Sequence, residues 1–84
     1  MSIAQTFTVT VAGGKFVIDG VSQATVMIGA GLTYKFDQSD SSNGTHPLRF
    51  STNENNSPSA PYTTGVTAVG TPGSSGAYTQ IEVA

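Results

Sequence analysis

Apolar and polar residues alternate along much of this chain. In Thr6-Phe-Thr-Val-Thr-Val11, Phe7, Val9 and Val11 share one face and threonines the other, the two-residue period of a half-buried strand. Ala12-Gly13-Gly14 turns the chain. Lys15-Phe-Val-Ile18 and Val21-Ser-Gln-Ala24 flank Asp19-Gly20, a two-residue hairpin signal because both positions tolerate positive φ. Thr25-Val-Met-Ile28 is expected to form a short apolar strand, closed by Gly29-Ala30-Gly31. In residues 32–37 the alternation directs Leu32, Tyr34 and Phe36 inward and Thr33 and Lys35 outward.

Residues 38–45 are rich in Ser, Asp and Asn, which bond their own backbone and so favour turns; they are read as a surface loop. Pro47-Leu-Arg-Phe-Ser51 returns as a strand with Leu48 and Phe50 inward and Arg49 outward. Residues 52–61 read as an irregular excursion and 62–69 as a weaker strand, followed by a loop at 71–76. The last segment, 78–83, alternates with Thr79, Ile81 and Val83 on one face. Strands about 8–12 residues apart with turns between them predict a sandwich or barrel.

Composition agrees. Ser, Thr, Gly and Asn are abundant, β-branched residues are frequent and strong helix formers are scarce, so the chain is all-β. Its 84 residues make one small domain, 1–84. A fold this short buries about 60–65% of the surface its unfolded chain exposes, and there is no cysteine to staple it. Part of its stability is therefore expected to come from neighbours in an assembly, with a barely self-sufficient monomer as the competing reading.

Charge narrows the partners. Lys15, Lys35 and Arg49 are the three Lys and Arg residues, scattered in a chain of net charge −2, whereas nucleic-acid binding needs clustered cations. No apolar run approaches the ~18 residues of a membrane span. Met1-Ser-Ile-Ala-Gln leads straight into a strand without the basic start and apolar core of an export signal. Lack of cysteine rules out disulfide, zinc-thiolate and thiol-redox chemistry.

Five segments carry a family resemblance: Phe16-Val-Ile-Asp-Gly-Val21, Tyr34-Lys-Phe-Asp-Gln-Ser-Asp40, His46-Pro-Leu-Arg-Phe-Ser51, Tyr62-Thr-Thr-Gly65 and Gly76-Ala-Tyr-Thr-Gln-Ile81. Together they resemble a cupredoxin-like domain whose relatives occur in phage virion proteins and in modular surface proteins of marine bacteria. The resemblance implies a small Greek-key β-sandwich, and it matches His46 to the first copper ligand. The family's other ligands lie in a Cys-x-x-His-x-x-Met segment after the strand that corresponds to 78–83, and this sequence stops before it. One imidazole does not make a blue-copper centre, which needs two His and a Cys thiolate. The resemblance thus implies a sandwich missing its last strand, with no metal or other cofactor and an open edge beside 78–83.

Other candidate chemistry is thin. His46 is read as capping its loop or meeting a backbone carbonyl, against a ligand role shared with a symmetry mate. Asp37, Asp40 and Asn43 imitate a calcium loop, but Leu48 stands where the distal bidentate Glu would fall. The serines have no base other than His46, no carboxylate pair has an acid/base setting, and no catalytic constellation is read here. The Asn43-Gly-Thr45 and Asn55-Asn-Ser57 sequons carry little weight without an export signal.

Tyr34, in phase with Leu32 and Phe36, is expected in the core. Tyr62 and Tyr78, out of phase or near loops, are the candidate interface tyrosines, joined by Ile81 and Val83 on the expected open edge. The expectation is a non-enzymatic structural protein of a phage virion, assembled in the host cytoplasm and decorating a capsid through contacts with other virion proteins and with copies of itself. A glycan-binding or adhesive surface module and a truncated copper electron carrier are the competing readings.

Overall fold

The structure, a computed structural model, describes residues 3–24, 26–51 and 61–84. Among the described residues eight strands run in chain order: β1 Gln5–Ala12, β2 Lys15–Ile18, β3 Val21–Ser22, β4 Thr33–Asp37, β5 Phe50–Ser51, β6 Pro61–Tyr62, β7 Val66–Val69 and β8 Tyr78–Glu82. A single 3₁₀ turn, Ser41–Asn43, breaks the all-β pattern among the described residues. Six strands form one mixed sheet in the order β3-β2-β1-β4-β8-β7, and β5 pairs with β6 in a separate two-stranded ribbon.

Local sequence explains most of this. Asp19 (φ 50°) and Gly20 (φ 84°) take the two left-handed positions of the tight turn between β2 and β3, which the Asp-Gly pair predicts. β1 pairs antiparallel with β2 and parallel with β4, in the register Gln5↔Tyr34 and Phe7↔Phe36. That register stacks the Phe7 and Phe36 rings with centroids 4.9 Å apart. On the other side of β4, β8 runs antiparallel with Tyr34↔Ile81 and Phe36↔Thr79. Phe7, Val9, Tyr34, Phe36, Leu48 and Ile81 thus meet in one buried cluster, against which Phe16, Ile18, Val26, Phe50, Tyr62, Val66 and Val83 pack. Phe50 brings the small ribbon onto the large sheet, its ring edge-on to Phe36 at 5.5 Å.

Several expectations need correction. Residues 26–28 are not a strand, and Thr25 lies outside the described residues. Val26 packs on the core while Met27 is 86% exposed, so this apolar run lies against the core without joining the sheet's ladder. The predicted strand 47–51 shrinks to Phe50–Ser51, although Leu48 is buried as expected. The expected strand over 62–69 splits into β6 and β7 around Gly65, where a side-chain Cβ would stand 2.4 Å from the Glu82 carbonyl oxygen. Residues 52–60 of the expected excursion lie outside the described residues.

The assignment of Leu32 and Thr33 is reversed. Leu32 precedes the strand and is 47% exposed, whereas Thr33 is 1% exposed. Thr33 opens β4 between two neighbours, its carbonyl accepting the Ala4 N–H at 2.8 Å on one side and its Cα facing Glu82 on the other. The largest correction concerns the open edge. β8 is not an edge strand: β7 returns antiparallel beside it, with Val66↔Ile81 and Val69↔Tyr78. The strands at the sheet margins are β3 and β7.

Two substitutions test this packing by chemical denaturation. Phe36→Ala removes the ring that touches both Phe7 and Phe50 and should cost about 3–5 kcal/mol. The Thr33 hydroxyl is buried and has no hydrogen-bond partner among the described residues. The near-isosteric Thr33→Val should therefore stabilise the fold, by about 1 kcal/mol. A clear loss of stability in Thr33→Val would mean that its hydroxyl is bonded.

Candidate functional site

The polar loop leaving β4 is built around two buried side-chain amides. Gln38 continues the inward phase of Tyr34 and Phe36, and Asn43 ends the 3₁₀ turn; neither side chain reaches solvent. The Gln38 Nε2 group donates to the His46 carbonyl at 2.8 Å and to Asn43 Oδ1 at 3.2 Å, while its Oε1 accepts the Leu48 N–H at 3.0 Å. Asn43 Nδ2 donates to the Val9 carbonyl of β1 at 2.7 Å and to the Asp40 carbonyl at 3.1 Å. The Gln38 backbone joins β8 through the Ala77 carbonyl at 2.9 Å and accepts the Gly73 N–H at 2.8 Å. Two loops are thereby locked to the end of the sheet.

Their closeness shows at Gly73, where a Cβ would lie 2.8 Å from the Gly44 nitrogen. Thr45 (φ 65°) adopts the left-handed conformation that a β-branched residue resists, at a cost of about 1–3 kcal/mol. The His46 N–H donation to the Asn43 carbonyl at 2.8 Å helps to hold that bend. His46 thus serves through its backbone, and its side chain is exposed.

The calcium-like trio separates in space. Asp40 caps the 3₁₀ turn and accepts the Ser42 N–H at 3.0 Å, Asp37 accepts the Ser39 N–H at 2.9 Å and its hydroxyl at 2.6 Å, and Asn43 points into the core. The Ser39 hydroxyl first, then its N–H and more weakly Lys35, hold the Asp37 carboxyl below the ordinary carboxylate range. Ser42 does the same for Asp40. Among the described residues no three His, Cys, Asp or Glu side chains gather as a metal site.

The four candidate interface residues do not form one surface. Ile81 is 4% exposed and belongs to the core cluster, and Val83 and Tyr62 pack against that same cluster. Tyr78 lies in the opposite phase of β8, half-buried, with Lys35 Nζ 4.3 Å from its ring centroid, a cation–π contact. Tyr34 is buried as expected, and its hydroxyl accepts the Gly29 N–H at 2.8 Å.

Sequence reading missed three features. Gln38 was detectable as the next inward position after Tyr34 and Phe36; Asn43, in a run of turn formers, carried no periodic signal. The second feature is an apolar groove of about 340 Å³ between β2, residues 23–24 and 26–28, and β5, lined by Phe16, Ile18, Val26, Ile28, Leu48 and Phe50, with Arg49 at its wall. The third is the β7 margin, which has no outer neighbour among the described strands.

The chain matches no protein-family model, no curated protein and no solved structure.

Asn43→Ala orphans the Val9 carbonyl and should destabilise the fold by about 1–3 kcal/mol, while His46→Ala, which keeps every backbone bond, should change it by less than about 0.5 kcal/mol. Equal losses in urea unfolding would refute the backbone role of His46. The depressed Asp37 carboxyl gives a second test. Its contribution is complete above the unfolded value, about 3.9, and is lost as pH falls through the lower folded one. The stability gap between the unmodified chain and Ser39→Ala should narrow as pH falls below about 3.9; a gap that stays constant as the solution is acidified would contradict the assignment.

Proposed function

We propose that this chain is a non-enzymatic structural protein of a phage virion, decorating or cementing the capsid in many copies. The resemblance of its five segments to cupredoxin-like domains of phage virions supports this reading, as does the surface. Met27, 86% exposed, and Val21, 57% exposed, line a second depression that shares Ile18, Ala24 and Val26 with the apolar groove, and Ile28 and Leu32 are also exposed. A small sheet that leaves such side chains uncovered offers them to a partner. This exposed apolar surface is the observation that carries the proposal.

In this reading the six-stranded sheet and the β5–β6 ribbon are a small cupredoxin-like Greek-key sandwich used as a building block. The partners are capsid or other virion proteins and further copies of the chain, with neither nucleic acid nor membrane involved, and assembly takes place in the host cytoplasm. The locked loops give the docking unit a fixed shape, which lowers the entropy lost when subunits pack. A glycan platform would need aromatic faces side by side, and Tyr62 packs on the core while Tyr78 holds Lys35 on the other face.

The test is fractionation of phage particles from a host carrying the gene, followed by quantitative mass spectrometry. The chain should band with intact particles in many copies and leave them on mild denaturation before the shell breaks. Recovery in the soluble fraction alone would contradict the proposal. A one-to-one copper complex lost in His46→Ala would replace it with the electron-carrier reading.

A further inference from the structure

The two margins of the sheet differ. β3 is Val21–Ser22, too short to template another strand, whereas β7 presents Val66–Val69. The hydrogen bonds fix which β7 groups face outward. Gln38 N–H donates to the Ala77 carbonyl and Val83 N–H to the Leu32 carbonyl, which assigns the odd-numbered residues of β8 to β4. Glu82 N–H donates to the Gly65 carbonyl at 2.9 Å, which assigns its even-numbered residues to β7. In an antiparallel ladder this alternation continues, so Gln80 bonds Thr67 and Tyr78 bonds Val69. The backbone groups of Val66 and Ala68 therefore point away from the sheet. Thr63 takes the Val66 N–H at 3.1 Å. The Ala68 N–H, the Ala68 carbonyl and the Val66 carbonyl remain outward.

We propose that β7 is a self-pairing edge: a second copy of this chain adds its own β7 antiparallel, with Ala68 opposite Ala68 across a two-fold axis. The inference rests on reading the chain as a subunit of an assembly, and it names the contact. Across such an axis each Ala68 donates its N–H to the other's carbonyl, a self-complementary pair that no foreign strand is needed to complete. Thr67 then faces Val69 of the second copy, covering a side chain that is 39% exposed.

Charge favours the same occupant. No Asp, Glu, Lys, Arg or His occurs from Asn55 to Ile81, so two identical edges meet without like-charge repulsion. Val66–Val69 also lacks the lysine or proline with which natural sheets block such pairing. The open edge that the sequence places at 78–83 is thus displaced by one strand.

The chain has no cysteine, so one introduced thiol reports the register. Hydrogen-bonded antiparallel partners stand about 5.5 Å apart at Cα, within disulfide reach. Two copies of residue 67 would be diagonal neighbours at roughly 7–8 Å. Under mild oxidation Ala68→Cys should form a covalent dimer at least ten-fold more readily than Thr67→Cys. Thr67→Lys, with its circular dichroism unchanged, should weaken dimerisation at least ten-fold in sedimentation equilibrium. Equal crosslinking at the two positions, or an unmodified chain that stays monomeric at 100 μM, would overturn the proposal. Particles that carry the chain while Ala68→Cys never crosslinks would refute the edge and leave the virion reading intact. A crosslinked dimer absent from particles would do the reverse.

Discussion

The contact between the Gln38 and Asn43 side chains is the constraint on which the loop end of this protein depends. A buried amide left unpaired costs about 1–3 kcal/mol per group, so each must find its partners or the loop must open. Here both ends of the Gln38 amide are used, by Leu48, His46 and Asn43, and Asn43 reaches across to the Val9 carbonyl of β1. The segment from His46 to Arg49 belongs to no strand and is held by these side-chain bonds in place of a ladder. Leu48 reaches the core because its N–H is fixed there. With Leu48 comes Phe50, and with Phe50 the β5–β6 ribbon that covers the large sheet.

That dependence explains why the loop is read only partly from sequence. Period-two alternation is legible in β1, in β4 from Tyr34 onward and in β8, because those strands bury one face, and Asp19-Gly20 marks its turn through the φ values it tolerates. Gln38 lies in register with the same alternation, but a polar residue beside Ser, Asp and Asn reads as loop. Asn43 is buried by tertiary contact alone. Thr33 and Leu32 exchange roles because the strand begins one residue later than the pattern, and a β-branched polar residue at the start of a central strand looks like a solvent-facing one. Residues 26–28 show that apolar character does not by itself make a strand.

The margins of the sheet set the remaining functional logic. Reading 62–69 as one strand hides the turn at Gly65, and with it the return of β7 beside β8. Once that turn is placed, Ile81 moves from an exposed edge to the centre of the core, and the outward backbone groups pass to Val66 and Ala68. The apolar surface around Met27 lies by the β2–β3 margin and the open ladder at the β7 margin, so the two features can engage different neighbours. In the assembly we propose, these would be its two contact surfaces.

The central claim is that the 38–48 loop and the sheet form one cooperative unit through the two amides. Native-state hydrogen exchange at the Leu48 amide measures it directly. This N–H lies outside any strand and donates only to a side chain, Gln38 Oε1, at 3.0 Å. If the account is right, it exchanges as slowly as the central amides of β4 and opens with them in the global transition. Exchange at the rate of an exposed loop amide, while β4 stays protected, would contradict it.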